Sequence, residues 1–376
     1  PAERLAVLFT SDDHTEIYPA ATLLPGGKDP GHFTLSRTII GEILTNKNAI
    51  LISDAAVDPR FAAQQSIILS ALKSAMAVPL FDEGEVLGIL YVDTTNPLHH
   101  YSDDYLRLLA TFGNIIASRI ANYQLLSDRE EKRVIDAELR RASAIQKSML
   151  TGEVPTLEGY SVQAFLEPSL SVGGDLYDVC VLPDGRLLFL VADVSGKGTG
   201  AALLMSNLLA SFRTWYTSAD FDLLQMVQQV SGQLHKYTPP EMFATLMIGV
   251  ADPVSHQISF VNAGHNPPIM RRTDGSIELL EPTGFMIGAF ASGDWENKSI
   301  KMNSGDLLTV FSDGVTEAEN EKDIQYSDER LEQFLSGIEN TAPEEASRML
   351  VADIVKFTEG APQSDDITIL MIRRDR

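Results

Sequence analysis

Residues 173–198 read GGDLYDVCVLPDGRLLFLVADVSGKG. Two strand-like apolar runs, Leu176–Leu182 and Leu187–Val191, flank Pro183-Asp184-Gly185, whose residue types favour a tight turn, so the stretch predicts a β-hairpin. Symmetry about residue 184 sets position 175 opposite position 193. Asp175 and Asp193 therefore face each other at the open end of the ribbon, with Cα atoms roughly 4.5–5.5 Å apart. Directly opposed like charges destabilise a strand pair unless a cation lies between them, which makes this end of the hairpin a candidate metal site. Two solvated strand ends are the plain alternative. Gly173-Gly174 and Gly196-Lys197-Gly198 flank the two acids and allow close backbone approach.

Around this hairpin the pattern is strand-dominated, with runs at Tyr160–Leu166, Phe243–Val250, Ile258–Val261, Ile277–Leu280, Leu307–Phe311 and Ile367–Ile372. Helical stretches fall at Ala201–Trp215, Phe221–His235 and Glu344–Phe357. Many antiparallel strands with few helices predict an α+β sandwich of sheets covered by helices. Two more acids stand at strand ends, Asp313 after Leu307–Phe311 and Asp365 before Ile367–Ile372. Oxygen ligands without His or Cys suit hard divalent ions, Mg²⁺ or Mn²⁺, and four aspartates can hold two.

Toward the N-terminus the character changes. The chain opens without Met on a strand-like alternation, Leu5, Val7 and Phe9, which reads as a start inside a longer protein. A helical pattern over Thr34–Leu44 and a short strand over Ala49–Ile52 follow. Next comes a hairpin, Ala75–Phe81 and Val86–Asp93 about the turn Asp82-Glu83-Gly84-Glu85. From Asp103, after the cap candidate Ser102, a helical pattern runs to about Leu150, where Thr151-Gly152-Glu153-Val154-Pro155 stops it. Its second half spaces Ile135, Leu139, Ala142, Gln146 and Met149 as a coiled-coil seam, which predicts a parallel dimer stalk, a solvated spacer helix being the alternative. Three segments result: residues 1–122, a linker helix 123–150, and residues 151–376.

The 376 residues carry a formal net charge of -23, and residues 151–376 alone hold 33 acidic and 15 basic side chains. Such a surplus favours solubility and disfavours nucleic acid and anionic membrane surfaces as partners. The single cysteine, Cys180, excludes an intramolecular disulfide framework and a multi-cysteine zinc site, and points to a reducing cytoplasm. Within a strand it reads as a packing residue.

The strings GGDLYD (173–178), ADVSGKGTGAAL (192–203), NAGHNPP (262–268), FSDGVTEA (311–318) and SDDITIL (364–370), in this order, resemble the PPM family of metal-dependent serine/threonine phosphatases, in particular its SpoIIE-like bacterial branch. The resemblance implies Asp175, Asp193, Asp313 and Asp365 as metal ligands, the Val194 carbonyl completing one shell and Asp193 bridging the ions. It also implies two antiparallel sheets flanked by helices, and a phosphoprotein substrate of the anti-sigma-factor-antagonist type. Two ions would position water and screen phosphoryl charge, so no nucleophilic Ser or Cys is required. The arginine that eukaryotic members place before the first motif is missing, since no basic residue lies between Lys147 and Arg186. Phosphate contact would then fall to the metals with Lys197 or His265, each of which also reads as an ordinary loop residue. GGDLY superficially resembles the diguanylate-cyclase signature, but Leu176 and Tyr177 replace its Glu and Phe.

The strings LISDAAVDPRF (51–61), SAMAVPLFDEGEVLGILYVD (74–93) and YSDDYLRLLATFGNIIASRIAN (101–122) resemble a GAF domain lacking its opening helix, which implies truncation at the N-terminus. Its ligand is open, and a ligand-free dimerisation module is the alternative to a sensor. The combined expectation is a GAF-regulated phosphatase, homodimeric through the linker helix. A catalytically inactive PPM-like module that sequesters a signalling partner is the competing expectation.

Overall fold

The computed structural model describes residues 3–11, 17–23, 37–55, 57–58, 72–82, 84–150, 154–218 and 221–375. The expected helix start at 34–36, residues 56 and 59–61 of the first GAF-like string, Glu83 of the expected turn and residues 151–153 of the helix stop lie outside the described residues. The chain divides into two compact units, Pro1–Val134 and Ile135–Arg376. No helix among the described residues is long and apolar enough to cross a membrane.

The first unit holds a five-stranded antiparallel sheet, β1 (Arg4–Thr10), β2 (Ile17–Leu23), β3 (Ile50–Ile52), β4 (Ser74–Asp82) and β5 (Glu85–Thr94), in the order β2-β1-β5-β4-β3. Helix α1 (Arg37–Asn46) covers one face, where Ile39 and Ile43 pack with Ala6, Leu8, Ile52, Ala77 and Ile89. The start of α2 (Asp103–Leu150) covers the other, where Leu109 and Ala117 pack with Met76, Val78, Leu90 and Val92. A sheet covered on both faces explains why β1 departs from the simple alternation. Ala6 and Leu8 are the buried positions, while Leu5 and Val7 pack partly against the opposite face. Helix α2 starts and ends at the expected residues, and Asp103 and Asp104 in its first turn complement the helix dipole.

The second unit stacks two five-stranded antiparallel sheets. One has the order β13-β10-β9-β8-β7, from β7 (Leu176–Val181), β8 (Leu187–Val194), β9 (Ala244–Ala251), β10 (Gln257–Ala263) and β13 (Lys298–Lys301). The other has the order β12-β11-β14-β15-β6, from β6 (Tyr160–Glu167), β11 (Ile269–Arg271), β12 (Ile277–Leu279), β14 (Leu307–Phe311) and β15 (Ile367–Arg374). Between them Leu187, Phe189, Val191 and Met247 meet Met270, Leu308, Val310, Leu370 and Ile372. Burying each such side chain is worth roughly 1.5–3 kcal/mol. Phe189 pairs across the sheet with Gly249, and a Cβ at 249 would stand 2.4 Å from the Phe189 ring, so only glycine leaves room for it.

Helices α3 (Thr199–Arg213) and α4 (Leu223–Tyr237) cover the outer face of the first sheet through Leu204, Met205, Leu208, Phe212, Met226 and Val230. Helices α6 (Asp328–Gly337) and α7 (Pro343–Thr358) cover the second through Leu331, Leu335, Leu350 and Ile354. A four-residue helix, α5 (Asp313–Thr316), follows β14 directly. The layers are helix, sheet, sheet, helix, as expected. Sequence reasoning did not anticipate the short strands β11 and β13 or helix α6. Three- and four-residue strands give no readable period, and β13 is an exposed edge of sequence KSIK.

Candidate metal centre

The β7–β8 register pairs Leu176 with Ala192 and Val181 with Leu187. Carried one residue outward, it sets Asp175 opposite Asp193, as the turn symmetry predicts. The turn closes with Gly185 donating to the Leu182 carbonyl and Leu182 donating to the Arg186 carbonyl, with Gly185 at φ 87°. Asp175 is 2 % exposed, and the Thr368 hydroxyl donates to its Oδ2 at 2.5 Å. Asp193 is half-buried on β8, opposite Thr245 of β9.

Burial, then the charge of Asp193, hold the Asp175 carboxyl well above the usual carboxylate range. Burial, followed by Asp313 and Asp365, pushes Asp193 up to about 7. Asp313, which opens α5, is raised by burial and then by Asp365. The four acids named from sequence thus share one electrostatic neighbourhood, in which each negative charge opposes the next.

Lys197 is the ammonium that answers them. Its Nζ lies 2.8 Å from Asp365 Oδ2 and donates to the Ser364 carbonyl at 2.8 Å, and its pKa is raised, first by the hydrogen bond to Asp365. The loop that carries it turns through Gly196 (φ 89°) and Gly198 (φ 74°) into α3, a backbone shape that residues with a Cβ avoid. Gly174 packs straight onto the Val194 carbonyl, where a Cβ would come within 2.8 Å of the oxygen.

Among the described residues, no three carboxylate, imidazole or thiolate groups stand at coordinating spacing about one point. The acids engage protein donors, Asp365 with Lys197 and Asp175 with Thr368. The donor chemistry nevertheless fits a hard dication: all oxygen, mutually repelling, and partly withdrawn from water.

His265 packs against Thr245, the residue opposite Asp193. It is 2 % exposed, its Nδ1 is 2.8 Å from the Thr245 hydroxyl, and its backbone N–H donates to Asn262 Oδ1. Burial lowers its pKa to about 4, which leaves a neutral ring. Cys180 sits half-buried in β7, and burial, then Asp178, push its thiol up to about 12, as expected of an inert packing residue.

Sequence reasoning missed Asp366 and the hydroxyls of Ser312 and Thr368. Asp366 is 5 % exposed and accepts from the Ser169 backbone N–H and hydroxyl (2.8 and 3.1 Å) and from the Gly174 N–H (2.9 Å). A signal was present. Thr368 shares the inner face of β15 with Leu370 and Ile372, so period-2 counting points it, and Asp366 before it, between the sheets.

The stacked sheets and flanking helices place the second unit in the class of PP2C folds. Among solved structures, the chain is similar to the SiaA-PP2C domain of Pseudomonas aeruginosa (TM-score 0.58, 22 % identity, 65 % of this chain and 99 % of that one). It is also similar to the PP2C phosphatase domain, with a fragment of the regulatory domain, of SpoIIE from Bacillus subtilis (TM-score 0.52, 21 % identity, 58 % and 64 %). The family described as Stage II sporulation protein E (SpoIIE) matches residues 183–375, a stretch that includes Asp193, Asp313 and Asp365 and begins after Asp175, and the GAF domain family matches residues 2–120. The chain belongs to the SpoIIE family and carries an N-terminal GAF domain.

Protein IcfG of Synechocystis sp. is 28 % identical over 264 residues, covering 63 % of this chain and 42 % of that protein. Phosphoserine phosphatase RsbU of Bacillus subtilis is 23 % identical over 291 residues, covering 77 % and 84 %. The chain thus spans less than half the length of the first relative and most of the second.

Proposed function

We propose that the protein is a metal-dependent phosphoserine/phosphothreonine protein phosphatase under the control of its GAF domain. The observation that supports this reading is that the charges of Asp175, Asp193, Asp313 and Asp365 act on one another, with Lys197 paired to Asp365. In this reading the four carboxylates and the Val194 carbonyl would hold two divalent cations, Mn²⁺ or Mg²⁺. Bound there, the ions supply positive charge for the phosphoryl oxygens and acidify a water for in-line attack. Deprotonated carboxylates are the ligand form, so burial of Asp175 and Asp193 readies the site to exchange protons for cations. Lys197, 53 % exposed on a glycine loop, is placed to meet the phosphoryl group once Asp365 has another partner. His265, buried and neutral, serves the loop rather than the leaving group.

Relatives named phosphoserine phosphatase, RsbU and RsbP of Bacillus subtilis, support a phosphoserine substrate, and a phosphoprotein of the anti-sigma-factor-antagonist type is the substrate the family resemblance implies. Regulation is supported by the C-terminal turns of α2. Gln146 donates to the Gly173 carbonyl at 2.8 Å and accepts from the Gly173 N–H at 3.2 Å, two residues from Asp175. Arg213 of α3 donates to the Met149 carbonyl and grips Asp178 with two nitrogens. A shift of this helix end would reach an acid of the site through two residues. The exposed Ile135 and Ala142 leave part of the predicted seam open for a second copy, in keeping with a homodimer through α2.

The test is hydrolysis of p-nitrophenyl phosphate with and without Mn²⁺, beside Asp193→Asn. Metal-dependent turnover in the wild type alone supports the reading. No turnover in either protein supports a sequestering module instead.

A further inference from the structure

One acid near the centre has no place in the proposed ligand set, yet it touches three of the four segments that supply it. Asp366 is buried, and its carboxylate is held by the loop before β7. Oδ1 accepts from the Ser169 N–H (2.8 Å) and hydroxyl (3.1 Å), and Oδ2 accepts from the N–H groups of Gly174 (2.9 Å) and Asp175 (3.4 Å). Its carbonyl accepts from the Ser312 hydroxyl at 3.1 Å, one residue before Asp313, and its N–H donates to Asp365 Oδ1 at 2.8 Å.

Two glycines record how closely this residue is enclosed. A Cβ at Gly173 would fall 2.0 Å from Asp366 Oδ2, and one at Gly314 would fall 2.0 Å from its carbonyl oxygen. The side chain has its acceptor capacity filled by three backbone N–H groups and the Ser169 hydroxyl, an arrangement that orients neighbours rather than one that awaits an ion.

We propose that Asp366 is a positioning residue: its carboxylate fixes the 169–175 loop and so holds the backbone that presents Asp175 to Asp193, Asp313 and Asp365. This rests on the reading of those acids as metal ligands. Residues that hold ligands in place typically alter metal affinity roughly tenfold to a hundredfold when removed.

The test uses the full chain and Mn²⁺ alone, with the dissociation constant measured by titration calorimetry, and the kcat and half-saturating Mn²⁺ for p-nitrophenyl phosphate measured alongside. Asp366→Ala is expected to weaken Mn²⁺ binding roughly tenfold to a hundredfold, with kcat at saturating Mn²⁺ little changed. Asp366→Asn keeps an acceptor for the Gly174 and Asp175 amides but sets an NH2 group against the Ser169 N–H, which loses its acceptor, so its affinity should fall between wild type and Asp366→Ala. Gly173→Ala displaces the carboxylate from the other side and should match Asp366→Ala, which keeps the question answerable if that variant does not fold. Asn as damaging as Ala would mark a charged ligand and overturn the proposal. So would wild-type affinity in both Asp366→Ala and Gly173→Ala, whatever their melting temperatures. If the wild type itself binds no Mn²⁺, the ligand reading fails and takes this one with it, a result distinct from undiminished binding in the variants.

Discussion

Each unit buries an aspartate at the end of a hairpin strand, and the two are treated in opposite ways. In the first unit Asp93 is 1 % exposed and faces Arg4 across the β1–β5 pair. Arg4 grips it with Nε and Nη2, both at 2.6 Å, and the Tyr91 hydroxyl donates at 2.8 Å. In the second unit the position across from Asp175 holds another acid, Asp193. The first arrangement neutralises a buried charge within the chain, and the second leaves the charge to be answered from outside. Burial of an acid alone therefore does not mark a site; the partner across the strand does.

The most demanding check on that contrast is Asp193→Asn. It should reduce metal-dependent hydrolysis by more than roughly a hundredfold, while in metal-free buffer it raises the melting temperature because a half-buried carboxyl opposed by Asp313 and Asp365 is gone. Asp93→Asn should do the reverse. It removes the carboxylate that Arg4 and Tyr91 hold and lowers the stability of the first unit by about 3 kcal/mol in urea titration, with phosphatase chemistry intact. If both substitutions stabilise, the contrast fails.

His265 offers a neutral comparison within the second unit. Its folded pKa of about 4 lies below the ordinary 6.5, so between those values the unfolded chain binds more protons and stability falls as the pH drops. The loss should reach about 2 kcal/mol by pH 5 and be absent from His265→Gln, as read from melting curves at pH 7 and pH 5. The smallest effect concerns the helix end: Gln146→Ala strands the Gly173 N–H and carbonyl and should cost about 1.5 kcal/mol in thermal unfolding of the metal-free protein.

Much of this architecture was legible because it depends on short-range rules. The hairpin register followed from Pro183-Asp184-Gly185, and the strands of both sheets other than β11 and β13 followed from apolar runs between turn residues. The limits of α2 followed from Ser102 and the Gly-Pro stop. The less legible features depend on which surface a residue meets. Gln146 was read as one step of a coiled-coil seam, whereas the fold uses it as a polar clamp on Gly173. Asp366 was passed over beside Asp365, because adjacent acids look alike in sequence and only the fold turns one toward backbone amides. In β1 the alternating apolar residues suggested one buried face, but a sheet sandwiched by helices buries both.

Gly249 ends up in a position usually reserved for residues that do chemistry. It bears no functional group, yet the space it vacates is filled by the Phe189 ring. In a saturation-mutagenesis map of this chain, its column would be as intolerant as that of Asp193. Measuring folded protein alongside turnover would separate the two: at one position what matters is the charge that is present, at the other the methyl group that is not.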